Sequence, residues 1–297
     1  MVNFATLKKT SGNISRLNQE IEKMSAPVEK KEDDRFWQPE LDKSGNGMAI
    51  IRFLPAPEVD GEESLPWIRL FTHGFKGPTG KWYIENSLTT IGQKDPVSEY
   101  NTVLWNSTND DSSPARKQAR EQKRRLTYIS NIYIVSDPKN PQNEGKVFLY
   151  RYGKKIFDKI SLLMNPEFEG DEAVNPFDLW TGANLRLKIR TVEGYRNYDQ
   201  SAFATPSPLL DNDAELEKIW KSEYSLKHFL EPSNFKSHEE LKKKLYDVLD
   251  LQEQPSSSVV RMDSHKGNLT PKENSEVGSI DVDDSDEELA AFKALAN

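Results

Sequence analysis

Residues 116–157 read RKQAREQKRRLTYISNIYIVSDPKNPQNEGKVFLYRYGKKIF. Six cations open the stretch (Arg116, Lys117, Arg120, Lys123, Arg124 and Arg125) against a single acid, Glu121. Two strand-like runs follow, 127–135 and 146–152, in which aromatic residues interleave with aliphatic and basic ones. Cations neutralise phosphates and ring faces accept unstacked bases, which is the combination that binding of single-stranded nucleic acid requires.

Outward from this stretch, further strands are expected at 48–54, 67–75, 81–85 and 185–190, each bounded by Gly, Pro or Asn turns. Leu185-Arg186-Leu187-Lys188-Ile189-Arg190 alternates strictly. It reads as a half-buried strand with an entirely cationic outer face. Residues 154–164, 213–230 and 237–251 read as helical, the last opened by the capping box Ser237-x-x-Glu240. Residues 86–115 read as a polar, irregular insertion lobe. The pattern predicts a mainly β fold with appended helices, an α+β chain whose core is an OB-type five-stranded barrel.

The chain has 297 residues, 35% apolar and 30% charged, with a net charge of −8. That composition predicts flexible termini around a folded centre. Residues 251–297 hold ten acids against four bases, whereas 116–125 is strongly basic. The charge is therefore polarised along the chain, which matters more to a nucleic acid than the sum. Three segments are expected: a basic arm at 1–34, a binding core at 35–252 and an acidic, largely disordered tail at 253–297. No run of about 18 apolar residues predicts a membrane span, and the start lacks the apolar core of a signal peptide.

Chemistry of other kinds finds little support. There are no cysteines, which excludes disulfides and thiolate metal sites. His73, His228, His238 and His265 are far apart, and Gly77-Pro78-Thr79-Gly80-Lys81 lacks phosphate-loop spacing. No catalytic residue is assigned. The expected wall for nucleic acid comprises Lys123, Arg124, Arg125, Arg151, Lys154, Arg186, Lys188 and Arg190, with Tyr128, Tyr150, Tyr152 and Tyr198 stacking on bases. Basic neighbours favour exposed rings for Tyr150, Tyr152 and Tyr198. Strand parity leaves the face of Tyr128 open, and Tyr133 and Phe148 are equally balanced between core and surface. Two other functions use the same residues. One is an RNA-binding regulator on the same barrel, and the other is a metal-dependent nuclease using loop carboxylates.

Several words then bring a family into view. Ile51-Arg52-Phe53-Leu54-Pro55, His73-Gly74-Phe75-Lys76, Gly80-Lys81-Trp82-Tyr83-Ile84-Glu85, Asn143-Glu144-Gly145-Lys146-Val147-Phe148 and Tyr150-Arg151-Tyr152-Gly153-Lys154-Lys155-Ile156 occur in that order. With Trp180-x-Gly182-Ala183-Asn184 and Asn197-Tyr198-Asp199, they make residues 36–205 resemble the T-even-type bacteriophage single-stranded DNA-binding, or helix-destabilising, protein. The resemblance implies an OB fold and a cooperative, sequence-independent coat on single-stranded DNA in phage replication, recombination and repair. It implies self-association through the arm, where a basic motif falls on Lys8, Lys9, Thr10 and Ser11. It also implies phage replication and recombination partners for the acidic tail. There Asp283, Asp284, Asp286, Glu287 and Glu288 precede Leu289, Phe292 and Leu295. The place of action it implies is the cytoplasm of an infected bacterial host, away from membranes. The family's zinc site uses one His and three Cys. His73 keeps the His, but Ser87, Asp95 and Ser98 fall on the thiol positions, so no metal and no other cofactor is expected. The lobe is then expected to be held by packing through Trp82, Tyr100 and Trp105.

Overall fold

A computed structural model describes residues 33–168 and 170–251. Among these residues lie nine strands: β1 (Phe36–Trp37), β2 (Gly47–Phe53), β3 (Ile68–Lys76), β4 (Trp82–Asn86), β5 (Arg125–Ser136), β6 (Val147–Tyr152), β7 (Leu185–Val192), β8 (Tyr195–Asn197) and β9 (Ala202–Phe203). The five helices are α1 (Pro96–Asn106), α2 (Pro114–Glu121), α3 (Lys154–Met164), α4 (Asp213–Lys221) and α5 (His238–Leu249). The six long strands expected from the sequence all form, with ends shifted by one or two residues.

The sheet is organised by β5, which is 12 residues long. One of its edges pairs with β6, from Tyr128 opposite Tyr152 to Tyr133 opposite Val147. The other edge is shared: β3 takes residues 125–129 and β2 takes 132–136, both antiparallel. The main path runs β1-β6-β5-β2-β7-β8, and among the described residues only the β1–β6 pair is parallel. The fold is thus α+β with an open, mixed sheet. Among the described residues the ladder does not close, so the sharper expectation of a closed five-stranded barrel goes beyond these pairings.

β5 is apolar on both parities because both its faces are covered. Ile132, Ile134 and Tyr128 join Phe53, Ile51, Leu185 and Leu187 in the main core. Ile129 faces the other way, with Ile68, Leu70, Leu149 and Leu226. The buried Asn131 carboxamide both accepts from and donates to the backbone of Tyr224, which fastens the segment after α4 across this back face. That fastening ends the helix expected over 213–230 at Lys221, after which the chain runs irregularly to a 3₁₀ turn at Lys227–Leu230.

Residues 86–115 are not irregular. Asp95 caps α1 by accepting from the backbone of Val97 and Ser98, and Pro96 starts the helix. The basic run is itself largely helical, as α2, capped by Ser113. The capping box of α5 forms as the sequence predicts, and Leu241, Leu245, Val248 and Leu249 are buried. They close a second core with Phe75, Tyr83, Leu88 and Val97. This core, rather than Trp82, packs the lobe, for Trp82 is exposed. Tyr100 packs at its margin, whereas Trp105 stacks beneath an arginine. The hairpin turn at Gly77 lies so close to α5 that a Cβ there would stand 2.0 Å from the Val248 carbonyl oxygen.

Candidate nucleic-acid interface

The cations of the basic run have unequal neighbours. Arg116 lies 4.3 Å over the Trp105 ring and pairs with Asp111 at 2.5 Å. Arg120 reaches the same ring and the same carboxylate, at 5.5 and 3.3 Å. These two hold α2 against α1. Arg124 sits 4.2 Å above the Phe71 ring, and Arg125 opens β5 opposite Thr72. Lys123, Arg124 and Arg125 are half-buried at the end of α2 where β5 begins.

The tyrosines correct the reading from sequence. Tyr128, Tyr150, Tyr152 and Tyr198 are only 6, 4, 2 and 7% exposed, and all belong to the main core. Their rings stack on protein: Tyr150 on Tyr152 at 5.5 Å, and Tyr152 on Tyr128 at 5.6 Å. Tyr128 in turn stacks on Phe157 at 4.0 Å with the rings 4° apart. The Tyr152 hydroxyl bonds Ser130 inside the core, and burial pushes its ionisation far up. Basic neighbours in sequence did not expose these rings, because strand neighbours face opposite ways. Arg151 illustrates the point. It lies on the back of the sheet, 4.7 Å over Phe36, and burial lowers its pKa. It does not share a face with the tyrosines beside it.

The ladder surfaces at Phe157 and Trp67, whose rings meet edge to face at 5.5 Å and are only partly buried. Trp67, just before β3, shares one parity with Arg69 and Phe71 within it, and Arg69 is exposed and directly opposite Tyr128. They border a cleft of about 330 Å³ that also takes in Asp60, Glu63, Thr89, Thr90 and Lys227. Lys154 is exposed at the start of α3 and pairs with Asp158 at 2.8 Å. The row of rings and cations at 67–71 was legible as Trp-x-Arg-x-Phe on one parity, the signal that a reading centred on 116–157 passed over.

Arg186, Lys188 and Arg190 are exposed along β7, as the alternation requires. They are not beside Arg124 and Arg125. Arg186 lies opposite Ile50, which lies opposite Ser136 at the far end of β5. At about 3.3 Å per residue, that is roughly 35 Å of strand from Arg125. The structure thus gives two cationic tracts rather than one wall.

The lobe positions assigned to a metal by resemblance converge on something else. His73 is 1% exposed. Its Nδ1 meets the Gln122 carbonyl oxygen at 3.0 Å. Nε2 stands 3.1 Å from Asp95 Oδ1, an ion-pair contact off the line of an aligned hydrogen bond. Asp95 Oδ2 accepts from the Ser87 hydroxyl and the Leu88 backbone at 3.0 and 3.1 Å. Oδ1 accepts from Val97 and Ser98. Burial alone would raise this carboxyl, but His73 and the backbone donors outweigh it and hold its pKa at about 2. The side chains that converge here are one imidazole, one carboxylate and a serine hydroxyl that bonds the carboxylate, too few zinc ligands to close a tetrahedral site. Among the described residues, no three His, Cys, Asp or Glu side chains gather as a metal site. The set does not fit the family's metal.

Lys8, Lys9, Thr10 and Ser11 of the arm, and the tail residues Asp283 to Leu295, lie outside the described residues. Comparison with known proteins bears on the rest. The chain is 40% identical over 223 residues to the single-stranded DNA-binding protein of Enterobacteria phage T2, covering 73% of this chain and 71% of that protein. The Enterobacteria phage T4 protein of the same name matches to the same extent. One from Escherichia phage SV14 is 45% identical over 82 residues, 26% of this chain and 69% of its own. The family model described as gp32 DNA binding protein like matches residues 45–249, every strand but β1 together with the lobe and α5, and the chain therefore belongs to that family.

Proposed function

We propose that the protein coats single-stranded DNA without reading its sequence, binding it along the cleft bordered by Trp67, Arg69 and Phe71. The observation that carries this is the row of ring, cation and ring at the start of β3 and the residue before it, set beside the place where the aromatic ladder surfaces. Bases stack at Trp67 and Phe157 while Arg69, Arg124 and Lys154 neutralise phosphates. Each stack contributes about 1–3 kcal/mol. Duplex DNA hides its base faces, so it binds weakly. The family is one of DNA-binding proteins, and the chain is a binder, not an enzyme.

The remaining roles extend this reading. The arm at 1–34 carries cooperative self-association, and the tail at 253–297 recruits phage replication and recombination proteins. The tail's acids compete with phosphate for Arg69, Arg124 and Lys154. The sharing of one β5 edge by β3 and β2 supports reading the sheet as OB-type. No helix among the described residues is long and apolar enough to cross a membrane, and the host cytoplasm is the proposed place of action.

The test is a tryptophan fluorescence titration with oligo(dT) across salt. Quenching is expected, with log K falling against log salt at a slope of about −2 to −3 for three or four phosphates. Phe157→Ala should weaken binding by about tenfold, one stack at the lower end. Absence of quenching, or preference for duplex, would overturn the reading. Equal or better competition by poly(U) would favour the RNA-binding alternative.

A further inference from the structure

We infer that the lobe between β3 and β5 is organised by a metal-free centre, the buried His73–Asp95 pair, which takes the place of a bound ion. Four separate pieces of chain end on it. His73 comes from β3, Ser87 and Leu88 from the turn after β4, and Asp95 from the start of α1. Gln122, the residue ending α2, supplies the carbonyl. A zinc ion joins distant segments by collecting lone pairs from four ligands. Here the polarity is reversed. An anion at the middle, Asp95, collects hydrogens from two backbone amides of its own helix, the amide of Leu88 and the hydroxyl of Ser87, and the His73 Nε2 stands 3.1 Å from it.

The Gln122 carbonyl oxygen only accepts, so the Nδ1 that meets it at 3.0 Å donates. Both side chains are almost wholly buried, 1% and 0% exposed, so water does not screen the contact. Because Gln122 immediately precedes Lys123, the same centre fixes where the chain enters β5. This inference concerns how the lobe is built and stands whether or not DNA is the ligand.

The test uses the full chain as purified. Metal analysis should find no stoichiometric zinc, and prolonged treatment with EDTA and 1,10-phenanthroline should leave the thermal melt unmoved. One zinc per chain, or a melt lowered by chelation and restored by zinc, would overturn the inference. Asp95→Asn keeps an oxygen to cap α1 but removes the charge facing His73. Breaking one partner out of a buried pair should lower the folded-to-unfolded ratio by at least about a hundredfold. Zinc should give no recovery. An Asp95→Asn protein as stable as the parent would also sink the idea. Should that variant not fold, the chelation measurement on the parent still decides.

Discussion

β6 and β7 lie in one sheet, separated by β5 and β2, and they treat their outer faces in opposite ways. β6 is covered on both sides. Phe148, Tyr150 and Tyr152 face the main core, while Leu149 and Arg151 lie under Phe36 and the segment that follows α4. β7 is covered on one side only. Leu185, Leu187 and Ile189 are buried, and Arg186, Lys188 and Arg190 face water. The difference comes from the number of layers at each place, not from the strands' own periodicity, which is two in both. An aromatic strand under two layers becomes core. A strand alternating with charge at a place with one layer becomes a surface.

The comparison can be broken most sharply at Tyr152. If it is core, Tyr152→Ala should cost about 3–5 kcal/mol in denaturant unfolding, as large-to-small changes at buried aromatics do. A ring that only served DNA would leave stability unmoved and remove fluorescence quenching instead.

The next effect concerns a charge placed where the rule forbids one. Glu223 is 6% exposed, and neither carboxylate oxygen has a hydrogen-bond partner. Burial, with the nearby Asp60 charge adding to it, pushes its pKa up to about 9 from 4.5. Below pH 4.5 the folded and unfolded chains both hold this proton, so pH has no effect through it. Between 4.5 and 9 the unfolded chain releases the proton and the folded chain keeps it. Stability must therefore fall as pH rises, by about 1.4 kcal/mol per unit or roughly 2–3 kcal/mol from pH 6 to 8. Glu223→Gln should flatten that slope in unfolding measured across pH. An unchanged slope would mean the carboxyl is ionised in the fold.

The smallest stability effect is expected on β7. Replacing Arg186, Lys188 and Arg190 with alanine should change stability by no more than about 0.5 kcal/mol each, as exposed sites do. If the bound strand continues across this face, the same triple change should make the salt slope shallower by about 2. An unaltered slope would confine DNA to the cleft near Trp67 and leave β7 outside its path.

The sequence was legible wherever physics leaves one solution. The six long strands, α3 and the capping box of α5 followed from local pattern, because turn residues, alternation and caps act over a few residues. The exposure of Arg186, Lys188 and Arg190 followed from charge, since three unpaired cations on one strand face are too costly to bury. The absent cysteines made a thiolate metal site impossible. Charge counting gave the polarity between basic run and acidic tail, and family words carried the rest of the functional reading.

Tertiary structure decided what amphipathic residues do. A tyrosine is stable in a core when its hydroxyl finds a partner, and on a surface when its ring does. Local sequence therefore could not say that Tyr128, Tyr150 and Tyr152 stack on one another and leave Phe157 and Trp67 at the end of the ladder. Nor could it say that Arg116 and Arg120 would fasten α2 to α1 while Arg124 covers Phe71, because the partners lie 5 to 53 residues away. The convergence of His73, Ser87, Asp95 and Gln122 is the same lesson. Each is an ordinary polar residue in sequence, and only the packing of the lobe brings their donors and acceptors within 3.1 Å of one another.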